Sequence, residues 1–225
     1  MKRRILTTAL CCFIAAGYLA GCRTKTEKYD AVISEIRGLV MTAESDALSV
    51  ELISGEREEP FSFDGVSAAR IAFTVVTITP KKKGHTGEYR YELYIGAEKY
   101  EGAFKRHAFR ESYSFEAAVK TPNAAALTVT EAQGYVENFE LVSMRKEGMI
   151  GAETALELAL IRLKNNVSAA TAGGKLNAEI YIRFVKNSVT SDGGYYWYVA
   201  FMPPDGALFA VMIDPYSKEI VAVRE

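Results

Sequence analysis

Between about residues 45 and 145 the chain changes character at every second residue. Leu48, Val50 and Leu52 alternate with Ser49 and Glu51, and Ile71, Phe73 and Val75 alternate with Ala72 and Thr74. Tyr89, Tyr91, Leu93 and Ile95 alternate with Glu88, Arg90 and Glu92, and Tyr113, Phe115, Ala117 and Val119 alternate with Ser112, Ser114 and Glu116. A period of two sends successive side chains to opposite faces of a pleated strand, so each run has one dry and one wet face, as in antiparallel sheet. Turn residues separate the runs: Asp64-Gly65, Pro80 to Gly87, Gly96, Pro122-Asn123 and Gln133-Gly134. Roughly seven or eight short strands in this span predict an antiparallel β-sandwich of immunoglobulin-like size. The Cys–Trp–Cys pattern of antibody domains is absent, which leaves the topology open.

The flanks follow a different period. Tyr29, Val32, Ile33, Ile36, Leu39 and Val40 are spaced by threes and fours, which predicts a short N-terminal helix. Asp30 and Glu35 early and Arg37 late suit its dipole, while Gly38 leaves a strand from that point open. Beyond Gly148, Ala152, Ala155, Leu156, Ala159, Leu160 and Leu163 form a second helical stripe. Alternation then returns in Ile180, Ile182 and Phe184, and in Trp197, Val199 and Phe201. Pro203-Pro204-Asp205-Gly206 reads as a hairpin loop, and Asp214-Pro215-Tyr216-Ser217 as a turn whose aspartate accepts from following amides. Trp197 is expected to pack sheet on helix. Tyr196 and Tyr198 fall on the opposite face, where they either cover the neighbouring β domain or form an aromatic contact ledge.

The first residues, Met1-Lys2-Arg3-Arg4, are a positive cluster, and Ile5 to Ala20 is an apolar run. This is the layout of a secretory signal, and the run is short for the roughly 20 residues of a membrane span. It ends in Leu19-Ala20-Gly21-Cys22, which resembles the lipobox of bacterial lipoproteins. The resemblance implies cleavage just before Cys22 and lipidation of its thiol, tethering the protein to a cell membrane or outer membrane on the exported side. A plain signal peptide with a coincidental cysteine is the alternative. Arg23 follows the cysteine where an aspartate would signal retention at an inner membrane.

The last third resembles a PepSY domain. The resemblance rests on Met149-Ile150-Gly151-Ala152-Glu153-Thr154-Ala155, on Trp197-Tyr198-Val199 and on Val211-Met212-Ile213-Asp214 continuing through Lys218-Glu219-Ile220-Val221. Lys218 stands where the family has its turn glycine. The resemblance implies a binding module or a restraint on a peptidase, and it leaves the partner unnamed.

Composition narrows the function. Residues 1–21 hold three basic and no acidic side chains, so a processed chain would set 24 basic groups against 28 acidic ones. A mild negative charge is no nucleic-acid signature. All three cysteines, Cys11, Cys12 and Cys22, fall at or before the expected processing point, so the body would carry neither disulfide nor nucleophilic thiol. The histidines are His85 and His107; no HExxH, GxSxG, P-loop or GxGxxG motif is present. The acidic groups at Glu44 and Asp46, and at Glu56, Glu58 and Glu59, lack EF-hand spacing. Lys81 to Lys83 reads as a wet hairpin tip, with contact to anionic surface polymers as its functional alternative.

The reading is therefore a mainly β chain with an α+β end. A signal peptide spans 1–21 and a tether 22–28, a short helix with a β-sandwich occupies 29–146, and a PepSY-like α+β domain occupies 147–225. The expected protein is noncatalytic and free of cofactor and metal. It is held to a membrane through Cys22 and binds a protein or peptide partner, with Tyr196 and Tyr198 as candidate contact residues. Regulation or inhibition of an exported peptidase is the alternative.

Overall fold

The computed structural model describes residues 26–81, 87–187 and 193–225. Cys22 and His85 lie outside the described residues. The protein is mainly β, built around one large and mostly antiparallel sheet. A short 3-10 turn, Glu27–Val32, leads into β1 (Ile33–Glu44), β2 (Leu48–Glu58), β3 (Arg70–Pro80), β4 (Tyr89–Ile95) and β5 (Glu98–Ala103). There follow β6 (Lys105–Arg106), β7 (Tyr113–Ala117), β8 (Ala124–Glu131) and β9 (Val136–Ser143).

These strands form two facing walls. One wall runs β1-β2-β3-β7-β6 and the other β9-β8-β4-β5. Hydrogen bonds between β1 and β9 (Met41 opposite Ser143) join them on one side. On the other side the chain itself crosses from β5 through Phe104 into β6. The expected sandwich is thus a barrel-like pair of walls, hydrogen-bonded along one edge and crossed by the chain at the other. Its interior holds Met41, Leu52, Val76, Ile78, Leu93, Leu127 and the ring pair Tyr91 and Phe115, stacked with centroids 3.4 Å apart. In β3 the set facing the barrel is Thr74, Val76 and Ile78, one residue out of phase with the sequence reading; Phe73 is buried on the other face under Arg57, and Ile71 is exposed.

The remaining elements are α1 (Ala152–Arg162), α2 (Lys164–Ala169), the two-residue strands β10 (Thr171–Ala172) and β11 (Lys175–Leu176), then β12 (Glu179–Lys186), β13 (Tyr195–Met202), β14 (Phe209–Ile213) and β15 (Ile220–Arg224). Ala155, Leu156 and Ala159 of α1 bury against Ile180, Ile182, Phe184, Val199 and Phe201, a second core distinct from the barrel interior. Trp197 is fully buried in it, and its indole N–H donates to Ile150 O at 3.0 Å, which docks the start of the helical layer on the sheet. Asn165 and Asn166 lie within α2, which continues the helical layer beyond Leu163.

The expected N-terminal helix is corrected: from Ile33 onward these residues are a strand. β1 is central, pairing parallel with β12 (Ile33 opposite Ile180, Ile36 opposite Ile182) and antiparallel with β2. Two register shifts, between Ile33 and Glu35 and between Ile36 and Leu39, insert extra residues. A bulge turns a spacing of two into three, so the apolar positions imitate a helical stripe. Buried contacts on both sheet faces, with β-branched Ile33, Ile36 and Val40, favour the strand. Gly55 is the necessary partner of this irregularity, since a Cβ there would stand 1.9 Å from Ile36 O.

Candidate functional site

Alternation on β12 and β13 sends Ile180, Ile182, Phe184, Trp197, Val199 and Phe201 toward the helices. Tyr181, Arg183, Tyr198 and Ala200 go to the other face. Parallel pairing adds Glu35 beside Tyr181 and Arg37 beside Arg183. The segment between β2 and β3, residues 59–69, lies over one end of this face. Phe63 stacks on Tyr181 at 4.7 Å, and Phe61 meets both rings edge-on.

Buried carboxylates hold that segment down. Glu179 is fully buried and accepts from Ser34 Oγ (2.8 Å), Gly65 N (2.6 Å) and Tyr181 OH (3.0 Å). Burial pushes its carboxyl above the ordinary glutamate value, against the pull of these donors, and the Glu58 charge adds to the rise. Glu58 accepts from Ser62 N (3.3 Å) and Ala68 N (3.0 Å). The Tyr181 phenol is raised by burial first, then by its bond to Glu179, and its single proton is shared between Glu179 and Ser62 O, each at 3.0 Å. Gly65 has φ +80°, and a Cβ there would stand 2.6 Å from the backbone of Pro204. The segment is therefore clamped between β12 and the β13–β14 loop.

Beside the clamp lies an asymmetric pair of guanidinium groups. Arg183 Nε donates to Glu35 Oε2 in a charge-assisted bond, and its guanidinium covers the Tyr181 ring at 4.9 Å and the Phe63 ring at 5.3 Å. Arg37, half-buried on the neighbouring strand, forms no ion pair among the described residues, and its buried Nε has no hydrogen-bond partner. Arg57 and Arg70 also carry an unbonded Nε, but each is ion-paired, to Glu116 and Asp30. Burial draws the Arg37 guanidinium below its ordinary value; Glu35 counters this, Arg183 reinforces it, and Glu51 counters it in turn.

Tyr198 lies opposite Arg183 and Tyr196 opposite Val185, so both tyrosines of the sequence reading share the face of Arg37 and Arg183. Both are half-buried, and Tyr198 packs partly against Tyr181, Ala200 and Ala210. Sequence reading missed Glu35, Arg37, Arg183, Glu179 and Phe63. Glu35 and Arg37 were assigned to a helix dipole, and their neighbours on β12 are about 145 positions away in the chain. The polar alternation Glu179, Tyr181, Arg183 was the one signal available.

The other sequence candidates have structural roles or stand apart. Asp214 Oδ1 accepts from Tyr216 N and Ser217 N, both at 2.8 Å. Lys218 has φ +65°, the conformation for which glycine is the usual choice. His107 is exposed on the hairpin after β6. Among the described residues no helix is long and apolar enough to cross a membrane, and no group of three acidic, histidine or cysteine side chains could hold a metal. No protein family, curated protein or solved structure matches the chain.

Proposed function

We propose that the protein is a lipid-tethered, noncatalytic cell-envelope protein that binds a protein or peptide partner on the face carrying Arg37, Arg183 and Tyr198. The observation that carries this reading is Arg37, a half-buried guanidinium that forms no ion pair among the described residues and whose Nε has no hydrogen-bond partner, beside one that has its own carboxylate. An unpaired charge withdrawn from water is costly, and a carboxylate delivered by a partner would relieve that cost. The flanking tyrosines supply the amphipathic rings favoured at contact surfaces. The noncatalytic reading is supported by the occupation of the carboxylates: Glu179 has three donors, Glu58 two amides and Glu35 its arginine. None of the three is placed to take up a substrate proton.

The reading of 147–225 as PepSY-like is retained as part of this proposal. In its favour are a helix packed on antiparallel strands and the left-handed Lys218 at the turn.

A photo-cross-linking amino acid in place of Tyr198, introduced in the native cell, tests the face. One discrete adduct is expected, and Arg37→Ala should deplete it at least about tenfold, as the loss of a charge-assisted contact implies. No adduct, or an adduct indifferent to Arg37, removes the reading. The tether is tested separately by radiolabelled palmitate, which should label the protein and be lost with Cys22→Ser.

A further inference from the structure

The β6–β7 hairpin lies at the far end of the barrel from the residues just considered. Phe109, at its tip, is 93% exposed, more than any other large apolar residue among those described. Lys105, Arg106, His107 and Arg110 surround it, all exposed, with Glu111 as the one acidic neighbour in the hairpin. Lys105, Arg106 and Arg110 form no ion pair among the described residues. They share this with Arg37, Arg90 and Arg145, but among the described residues only here do three such cations stand around an exposed ring.

The tip has a defined shape. His107 N donates to Ser112 O at 2.8 Å, and Phe109 N donates to His107 Nδ1 at 3.1 Å, which turns the phenylalanine outward. Its base is held by Tyr113, which is buried in the barrel with its ring 4.7 Å from that of Tyr89. The tip therefore projects an exposed ring, touched only edge-on by His107, among three exposed cations and away from both cores.

We infer that this hairpin is a membrane contact, with Lys105, Arg106 and Arg110 on anionic lipid headgroups and Phe109 at the acyl boundary. Cations near an anionic leaflet each strengthen attachment about fivefold, and an aromatic ring is favoured at the interface. A soluble polyanion would use the same cations but gives no reason for the extruded ring, so the bilayer is the better occupant. The inference does not need the acyl tether.

Both cores lie within residues 26–225, so a chain beginning at Thr26 carries the whole fold and neither signal nor Cys22. Its co-sedimentation is measured with vesicles of phosphatidylcholine alone and with added phosphatidylglycerol. Binding is expected only with phosphatidylglycerol, to weaken in high salt, and to fall more than about tenfold for Arg106→Glu with Arg110→Glu. Phe109→Ser should weaken binding without altering charge. In Phe109→Trp, emission should shift to the blue and be quenched by brominated lipid, against the constant background of buried Trp197. Equal binding to neutral vesicles, no binding to anionic ones, indifference to the charge reversal, or an unquenched tryptophan would each overturn the inference. Retention on heparin without vesicle binding would assign the hairpin to a soluble polyanion and overturn it as well.

Discussion

Arg37 and Arg183 face each other across the parallel pairing of β1 and β12, and only Arg183 has a carboxylate, Glu35, to itself. Glu35 is buried, and its charge also lessens the burden on Arg37. Glu35→Gln should therefore leave two opposed guanidinium groups and cost about 3–5 kcal/mol of stability. Arg37→Met should instead stabilise the fold by about 1 kcal/mol, because burial outweighs the attraction of Glu35 and Glu51 and no ion pair among the described residues offsets it. In the double variant the loss should be smaller than the sum of the two single effects. Urea unfolding of the three variants measures this; an Arg37→Met protein less stable than the wild type would contradict it.

Glu179 should give the fold a distinctive pH dependence. Its carboxyl is raised by burial, so the folded state favours the protonated form more than the unfolded chain does. Its contribution is then fully present below the ordinary glutamate value of 4.5 and is lost as pH rises through the elevated value. The stability of the wild type relative to Glu179→Gln should accordingly decline with rising pH in that window. A difference that is flat, or that grows with pH, would mean the carboxylate is better solvated than its three contacts imply.

Gly55 supports the bulge of β1 rather than a turn. A methyl group there meets backbone, the Ile36 carbonyl oxygen at 1.9 Å, and backbone cannot swing aside as a side chain can. Gly55→Ala is expected to cost about 3 kcal/mol, at the upper end for overpacking. Thermal unfolding beside a control at Gly151, where a Cβ meets nothing within 4 Å and φ is −87°, isolates the steric part from loss of glycine flexibility.

Lys218 offers the opposite experiment. Its φ of +65° strains an L-residue, while Lys218 N still donates to Asp214 O at 3.0 Å. Lys218→Gly should raise stability by about 0.5–1 kcal/mol, the strain relieved less the added freedom of the unfolded chain. Lys218→Val should lower it. Calorimetry on the pair reads both signs.

Much of the local structure was legible because side-chain alternation is a property of each strand alone. Ile180, Ile182 and Phe184, like Trp197, Val199 and Phe201, turn toward the helical layer as their spacing implies. The Asp214 turn and the stripe through Ala155, Leu156 and Ala159 are equally local, resting on contacts within a few residues or on one helix face. β1 was not legible, because its bulges break the period that identifies a strand, and bulges are stabilised by what lies opposite, here Gly55.

The amino-acid order by itself determined that this is a mainly β protein, where most of its strands and turns fall, and which side of β12 and β13 is dry. Only the tertiary structure decided that β1 joins β12 in parallel, that β9 joins the two walls through β1, and that Glu35, Arg37, Arg183 and Tyr198 share one face. Periodicity records which way a side chain points on its own strand. It carries no record of which distant strand lies alongside, because that choice is made by burial and hydrogen bonding summed over the whole sheet.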